Sequence, residues 1–196
     1  MKKIVSLFTL SIFLAVSISL FAQNNSLLEI LNQNIISKKE VKKESKFVEV
    51  LSEIVTVNSV SNARFKGGNN RVAFKLNIPK GTTAWYYKIN VLDLDDMVFT
   101  NSTNSLFYQL ENSSLSLDNY SDKTVDFYVI PESNVANFMQ TGNDNYLIYT
   151  EYTKKNISQD FGSSKSYKDD FWIGLKNNDK FKGIKVRIEV VALLVY

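Results

Sequence analysis

The stretch that decides the fold is the last one in the chain, IKVRIEVVALLVY at residues 184–196. Its apolar and charged residues alternate, with Ile184, Val186, Ile188 and Val190 on one side and Lys185, Arg187 and Glu189 on the other. Successive side chains of a strand point to opposite faces, so this alternation predicts a strand with one buried and one solvated face. Ala192, Leu194 and Tyr196 would continue the inward set.

Further strand patterns precede this segment. Residues 72–78 and 84–94 alternate in the same way and are separated by Pro79-Lys80-Gly81, which predicts two strands joined by a turn. Other strand candidates are residues 106–110, 125–130, 146–152 and 171–176, and residues 132–139 after Pro131 predict a short helix. Several strands in series without a βαβ rhythm predict a mainly β fold, an antiparallel β-sandwich.

The first residues have the order of a signal peptide. Lys2 and Lys3 precede an uncharged apolar stretch over residues 4–22, and the polar run Gln23-Asn24-Asn25 follows. We therefore expect export, with cleavage after Ala22, to the periplasm, the cell surface or the extracellular medium. A transmembrane anchor is the alternative, because the apolar stretch approaches the roughly 20 residues that span a bilayer. After signal removal we expect no stable membrane insertion.

Residues 23–55 predict a short helical N-terminal extension. Apolar residues at 27, 28, 31 and 35 have helical spacing, and Ser37-Lys38-Lys39-Glu40 has the Ser-x-x-Glu form of a capping box. Val48, Leu51 and Val55 continue the helical spacing, so we expect a helix over residues 38–54. The predicted organisation is a signal peptide at 1–22, this extension at 23–55 and a β-sandwich domain at 56–196.

The composition excludes most familiar active sites. The 196 residues include no His and no Cys, which rules out a Ser-His-Asp triad, a Cys-His pair, a zinc site with nitrogen or sulfur ligands and a redox thiol. The formal net charge of +3 falls to +1 when Lys2 and Lys3 leave with the signal peptide. Phosphate neutralisation needs clustered cations, so we expect no nucleic-acid partner.

Three blocks of the sequence resemble a known type of module. They are residues 71–95, with Ile78-Pro79-Lys80-Gly81-Thr82 between two strands, residues 125–142, which read VDFYVIPESNVANFMQTG, and residues 172–191, which begin Trp-Ile-Gly-Leu-Lys. These blocks resemble the jelly-roll β-sandwiches of the bacterial pre-peptidase C-terminal and Golgi-dynamics (GOLD) type. The resemblance implies a jelly-roll-like sandwich with an accessory, non-catalytic binding or interaction role on an exported protein. Trp85-Tyr86-Tyr87 is more aromatic than that type, and residues 23–66 have no counterpart in it.

The aromatic strand at residues 84–94 supplies the candidate binding site. Alternation puts Trp85 and Tyr87 on one face and Tyr86, Lys88 and Asn90 on the other. Because the second set is polar, we expect it to be exposed, with the Tyr86 ring as an anchor for a protein or carbohydrate partner.

Asp93 and Asp95 at the end of the same strand are candidate metal ligands. The two-residue strand repeat places them about 7 Å apart on one face, where with loop carbonyls they can hold Ca²⁺. An Asp-x-Asp-x-Asp-Gly loop is not present, and a solvated turn is the competing interpretation, which we favour. We expect no other cofactor.

An exported, non-catalytic binding module is the function that these observations favour. One alternative is a small outer-membrane β-barrel, because the last strand ends in alternating apolar residues and Tyr196, although long polar loops leave too little sequence for about eight membrane strands. The second alternative is a glycoside hydrolase that uses two carboxylates. Its candidate acids are Asp93, Asp126, Glu151, Asp169, Asp170 and Glu189.

Overall fold

Eight strands in two sheets form the described part of the chain. The computed structural model describes residues 44–95, 104–116, 121–140, 142–165 and 171–196. The strands are β1 (Ser45–Val57), β2 (Arg71–Lys75), β3 (Thr82–Leu92), β4 (Val125–Pro131), β5 (Lys154–Ile157), β6 (Gln159–Ser164), β7 (Phe171–Lys176) and β8 (Ile184–Val195). The α-helices are α1 (Val60–Phe65), α2 (Leu106–Glu111) and α3 (Val135–Met139), and single 3-10 turns form at Glu132–Asn134 and Thr150–Tyr152. Within these ranges, no helix is long and apolar enough to cross a membrane.

The strands pair as a rolled hairpin. β1 pairs with β8, β2 with β7, β3 with β6 and β4 with β5, all antiparallel. Two further antiparallel pairings, β3 with β8 and β4 with β7, join these into a first sheet of order β1-β8-β3-β6 and a second sheet of order β2-β7-β4-β5. Each half of the hairpin alternates between the two sheets, which is the arrangement of a jelly roll. The prediction of a mainly β, jelly-roll-like sandwich is confirmed.

The core lies between the inner faces of the two sheets. β8 contributes the buried residues Ile184, Val186, Ile188 and Val190 of the inward set that alternation predicts, whereas Tyr196, which was expected to continue the set, is 68% exposed. From β3, Trp85 and Tyr87 face the same core, where the Tyr87 ring stacks on Phe127 of β4 with 4.7 Å between ring centroids. Burial of each large apolar side chain contributes about 1.5–3 kcal/mol, so this layer supplies most of the stability of the sandwich.

The helix predicted over residues 38–54 is wrong where the structure describes it. Residues 45–54 belong to β1, which pairs with β8 along its whole length. A β-bulge between Glu49 and Leu51 shifts the register, so apolar residues on one strand acquire a spacing that resembles a helix. The sandwich therefore begins at Ser45 rather than at residue 56. Residues 1–43, with the predicted signal peptide and the first part of the extension, lie outside the described residues.

Two predicted strands are also wrong. Residues 106–110 form α2, whose N-terminus is capped by the Ser105 hydroxyl, the acceptor of a 3.2 Å hydrogen bond from the Tyr108 N–H. Residues 146–152 are irregular up to the turn Thr150–Tyr152, although the Tyr149 N–H still donates to the Val129 carbonyl at 2.9 Å. The strands at 125–130 and 171–176 and the helical segment at 132–139 are confirmed, whereas the strand predicted at 72–78 ends at Lys75.

The outer face of the second sheet is covered by the segment that follows β4. Phe138 of α3 and Tyr146 contact the Tyr128 ring edge to face, with centroids 5.4 and 5.7 Å away. The buried Arg71 guanidinium holds this segment, because its Nη1 donates to the carbonyl oxygens of Phe138 and Asn143, each at 2.6 Å. This face of the sheet is therefore interior to the fold.

Candidate functional site

The residues predicted to form an exposed ligand-binding face are buried. Tyr86, Lys88 and Asn90 are 2%, 2% and 4% exposed. Alternation separates them correctly from Trp85 and Tyr87, which face the core. However, α2 packs over the outer face of the first sheet, where it contacts β1 and β8. The expectation of an exposed Tyr86, Lys88 and Asn90 is therefore wrong, because a second layer of structure replaces water on this face.

Direct contacts explain this burial. The Tyr86 ring meets Phe47 of β1 edge to face and stacks on Phe161 of β6, with centroid distances of 6.1 and 6.3 Å. Burial raises the pKa of the Tyr86 hydroxyl. Lys88 Nζ donates to the Asn104 carbonyl oxygen at 3.3 Å and to Gln109 Oε1 of α2 at 3.4 Å. These side chains are occupied by the fold itself.

Arg187 and Glu189 of β8 lie on the same side as Tyr86, Lys88 and Asn90, and we call these five residues the covered face. Arg187 Nη2 donates to Glu189 Oε1 at 3.0 Å, and both side chains are buried. The solvated face predicted for β8 is therefore wrong at these two positions. Within the described ranges Glu189 Oε2 has no hydrogen-bond partner, and Arg187 forms the ion pair with this carboxylate, while Lys88 lies opposite Glu189 in the register of β3 and β8.

The two carboxylates considered as Ca²⁺ ligands lie on the surface where β3 ends. Asp93 and Asp95 are both exposed, and Lys123 Nζ lies 3.7 Å from Asp93 Oδ1. Among the residues that the structure describes, no group of three or more Asp or Glu side chains is arranged to hold a metal ion. The Ca²⁺ site stays a prediction from the sequence, and a cation already neighbours one of its two carboxylates.

Asp126, one of the candidate catalytic acids, is engaged by four donors. Its carboxylate accepts from Asn178 Nδ2 at 2.8 Å, the Asn156 backbone N–H at 2.9 Å, the Tyr128 hydroxyl at 3.0 Å and Lys155 Nζ at 3.2 Å. Burial by itself would raise the pKa of Asp126, but the hydrogen bonds from Asn156, Asn178 and Lys155 and the Lys155 charge hold the pKa below its ordinary value. The ionised carboxylate ties β4 to β5 and to the loop after β7, which is a structural role.

Asp160 on β6 is the described acid whose pKa is raised. Burial is the main cause, and the Tyr87 hydroxyl donates to Asp160 Oδ2 at 2.7 Å. The charged neighbour that affects this pKa is Lys154, a cation, whereas glycoside hydrolysis needs a second carboxylate nearby. Asp169 and Asp170, two of the candidate acids, lie outside the described residues.

The two most exposed large apolar side chains of the described residues are phenylalanines at one end of the sandwich. Phe65 at the end of α1 is 79% exposed, and Phe181 between β7 and β8 is 78% exposed. Each ring stands between two exposed cations, in the triads Arg64-Phe65-Lys66 and Lys180-Phe181-Lys182. We call these six residues the double-phenylalanine end. In this part of the described surface, two highly exposed phenylalanine rings lie next to positively charged side chains.

Helix α1 brings the two triads together. Its N-terminus is capped by the Ser59 hydroxyl, which accepts from the Asn62 N–H at 3.2 Å. The first two N–H groups of α1, those of Val60 and Ser61, donate to the carbonyl oxygens of Asp179 and Lys180 at 2.9 and 3.0 Å. Phe65 follows four residues after Ser61, about 6 Å of helix rise, so the first triad lies beside the loop that carries the second.

Gly67 and Gly68 end the first triad in a tight turn. Gly67 has φ +76°, a left-handed conformation that glycine adopts without steric cost. A Cβ on Gly68 would overlap the Asn58 side chain, so a larger residue does not fit there. The glycine pair thus closes the turn after Lys66 and packs it against Asn58.

Loop 177–183 holds the second triad with its own polar side chains. The buried Asn177 donates from Nδ2 to the carbonyl oxygens of Val57 and Lys182 at 3.3 and 2.9 Å. Asp179 Oδ1 accepts from the backbone N–H groups of Phe181 and Lys182 at 2.7 and 2.8 Å. The hydrogen bonds from Lys182 and Phe181 lower the pKa of Asp179. The backbone under Phe181 is therefore held in place while its ring projects into solvent.

The four cations of the double-phenylalanine end are not used by the described fold. Arg64, Lys66, Lys180 and Lys182 form no ion pair with a residue in the described ranges. The nearby acids also have other partners, although the Lys182 charge helps to lower the pKa of Asp122 and of Asp179. Asp179 accepts backbone N–H groups, and Asp93 and Asp122 both pair with Lys123.

Sequence reasoning missed this site because it searched periodic segments. Neither triad lies in a strand or has an alternating pattern, and strand alternation directed attention to Tyr86. One signal was available, because the order cation, Phe, cation occurs at both 64–66 and 180–182. Sequence alone does not show that the two triads are neighbours.

Comparison with known proteins adds no relative. No protein-family model matches this chain, and no match is found among curated proteins. The fold and the site together define a jelly-roll β-sandwich that presents two phenylalanines and four cations at one end. The resemblance to pre-peptidase C-terminal and GOLD-type domains stays a prediction.

Proposed function

We propose that this chain is an exported, non-catalytic β-sandwich module that binds a partner through its double-phenylalanine end. The observation that carries the proposal is the near-complete exposure of Phe65 and Phe181 on a hydrogen-bonded backbone. Covering one phenylalanine side chain contributes about 1.5–3 kcal/mol, and folding leaves this contribution unrealised at both positions. Because the two loops are already ordered, binding requires little further loss of conformational entropy.

The non-catalytic part of the proposal rests on how the polar groups are used. The chain has no His or Cys, Asp126 is engaged by four donors, and Glu189 is paired with Arg187. A catalytic carboxylate needs access to substrate and an altered pKa suited to proton transfer. The binding surface that we expected on the Tyr86 face is reassigned to the double-phenylalanine end.

Export is supported by the order of residues 1–22, a Lys pair, an apolar stretch and a polar junction. The expected mature chain starts near Gln23. N-terminal sequencing of the protein recovered from outside the cytoplasm tests this. A first residue of Met1 would contradict cleavage and favour the membrane anchor.

Site-specific photo-crosslinking tests the binding end. Benzoylphenylalanine replaces Phe65 or Phe181 in the producing cells, and Leu147, an exposed apolar residue outside the two triads, is the matched control position. We expect a crosslinked species from positions 65 and 181 and none from position 147. Crosslinking that is equal at all three positions, or absent at 65 and 181, would contradict the proposed binding surface.

A further inference from the structure

We infer that the double-phenylalanine end adsorbs to an anionic lipid surface, with both rings in the boundary between headgroups and acyl chains and the four cations among the headgroups. This inference rests on the proposed function, because it names the partner of the same site. The adsorption is peripheral and reversible, and it involves no membrane-spanning segment.

The projection of the two rings favours a lipid surface over a base or a sugar ring. Phe65 and Phe181 are 79% and 78% exposed, so each ring projects from the surface and neither lines a groove. A base or sugar ring stacks on one face of an aromatic side chain and leaves the rest in water. The interfacial region of a bilayer surrounds a projecting ring on all sides, as it does for the apolar residues of interfacial anchors.

The neighbours of the rings have the chemistry of a headgroup layer. Each phenylalanine is flanked directly by long cationic side chains, which can keep their charge at the headgroups while their stems lie along the acyl boundary. These cations have no ion pair among the described residues, so they are available to lipid phosphates. No hydroxyl or amide side chain stands beside either ring within its triad to read a base edge or a sugar.

A third apolar side chain lies at the same end. Leu94 is partly exposed, and a Cβ on Gly183, in the loop that carries Phe181, would meet Leu94 Cδ1 at 3.1 Å. Three exposed acids lie at this end as well: Asp93 and Asp122 pair with Lys123, and Asp179 accepts two backbone N–H groups. The rings therefore approach a membrane together with four cations that form no ion pair among the described residues.

Vesicle sedimentation tests the inference. The chain as purified from producing cells is mixed with vesicles of phosphatidylglycerol and phosphatidylcholine in equal parts, and with vesicles of phosphatidylcholine alone. We expect Phe65→Ser and Phe181→Ser each to weaken binding to the anionic vesicles about tenfold, and the double variant about 100-fold. Residues 1–22, wherever they are retained, are the same in every variant, so the differences report this end of the sandwich.

Charge is tested separately. Lys180→Gln/Lys182→Gln should weaken binding to the anionic vesicles about 30-fold and leave the weak binding to phosphatidylcholine unchanged. Lys46→Gln/Lys80→Gln is the matched control, because Lys46 and Lys80 are exposed at the opposite end of the strands. Leu147→Ser is the matched control for the two phenylalanines. Both controls should bind as the unchanged chain does.

The contrary outcomes are distinct. Equal binding by the unchanged chain and the double Phe→Ser variant, or equal binding to neutral and anionic vesicles, overturns the lipid inference. Tighter binding to single-stranded DNA than to anionic vesicles, or self-association that Phe181→Ser abolishes, overturns it as well. If position 181 crosslinks to a protein in cells while vesicles are not bound, the proposed binding module stands and the lipid assignment fails. If neither experiment gives a signal, both fail.

Discussion

The covered face and the double-phenylalanine end both combine aromatic rings with cations, but their exposure is opposite. Lys88 is buried beneath α2 and Tyr86 is buried between Phe47 and Phe161, whereas Phe65 and Phe181 project into solvent. The polar residues of the covered face are bonded within the fold, and the cations of the double-phenylalanine end are unpaired among the described residues.

The difference teaches that a polar strand face is not necessarily a surface. Alternation decides which side chains share a side of the sheet. Whether that side meets water depends on what packs over it, and here a short helix between β3 and β4 covers it. Side chains that are available for binding then lie on the loops, because no further element packs over them.

Tyr86→Ala should give the largest difference between the two regions. Truncation of a buried aromatic side chain leaves a cavity between β1, β3 and β6, and we expect a loss of about 3–5 kcal/mol in the free energy of unfolding. Urea denaturation measures it. Tyr108→Ala, at an exposed position of α2, is the control and should cost less than about 1 kcal/mol. A cost below about 1 kcal/mol for Tyr86→Ala would show that the face is not covered.

Arg187→Ser should come next, at about 3 kcal/mol, because it removes the cation that is hydrogen-bonded to the buried Glu189 carboxylate. A solvated face would tolerate the change. The double variant Arg187→Met/Glu189→Gln, which also removes the negative charge, should recover about half of the loss or more. Denaturation midpoints of the three chains test this. A midpoint for Arg187→Ser equal to that of the unchanged chain would argue against a buried ion pair.

Asp126→Asn tests the support beneath the exposed end, because Asp126 accepts from Asn178 in the loop that carries Phe181. Since its pKa lies below the ordinary Asp value of about 3.9, the ionised form stabilises the folded chain above that pH, and this contribution disappears as the pH falls through the lowered pKa. We expect a loss of about 2 kcal/mol at neutral pH for the variant and a shrinking difference in acid.

Stability measured against pH for the unchanged chain, Asp126→Asn and the exposed control Asp95→Asn checks this prediction. The control should follow the unchanged chain throughout. A difference between Asp126→Asn and the unchanged chain that does not depend on pH would mean that the charge of Asp126 is not what stabilises it.

The smallest effect on stability is expected at the double-phenylalanine end. Phe65→Ser and Phe181→Ser remove rings that contact mostly solvent, so each should change the free energy of unfolding by less than about 0.5 kcal/mol. Thermal or urea denaturation measures both. A loss comparable with that of Tyr86→Ala would mean that the rings are packed in solution and would remove the contrast between the two regions.

Much of the fold was predictable from local pattern. The alternation of Ile184, Val186, Ile188 and Val190 predicts β8 and its core-facing side, and the strands at 125–130 and 171–176 were predicted from local pattern as well. The predictions fail where local signals compete. A β-bulge gives β1 a helix-like spacing, and the capping hydroxyl of Ser105 favours a helix over the strand propensity of residues 106–110.

The sequence by itself determined the side of each strand on which its residues lie, and it excluded His- and Cys-dependent chemistry. Both properties are local, since they depend on a two-residue repeat and on residue type. Only the tertiary structure decided that α2 covers Lys88 and that Phe47 and Phe161 enclose Tyr86. It also decided that the Val60 N–H of α1 donates to the Asp179 carbonyl oxygen, which joins two distant triads into one surface. Those are contacts between segments far apart in the chain, and no short-range repeat encodes which segments meet.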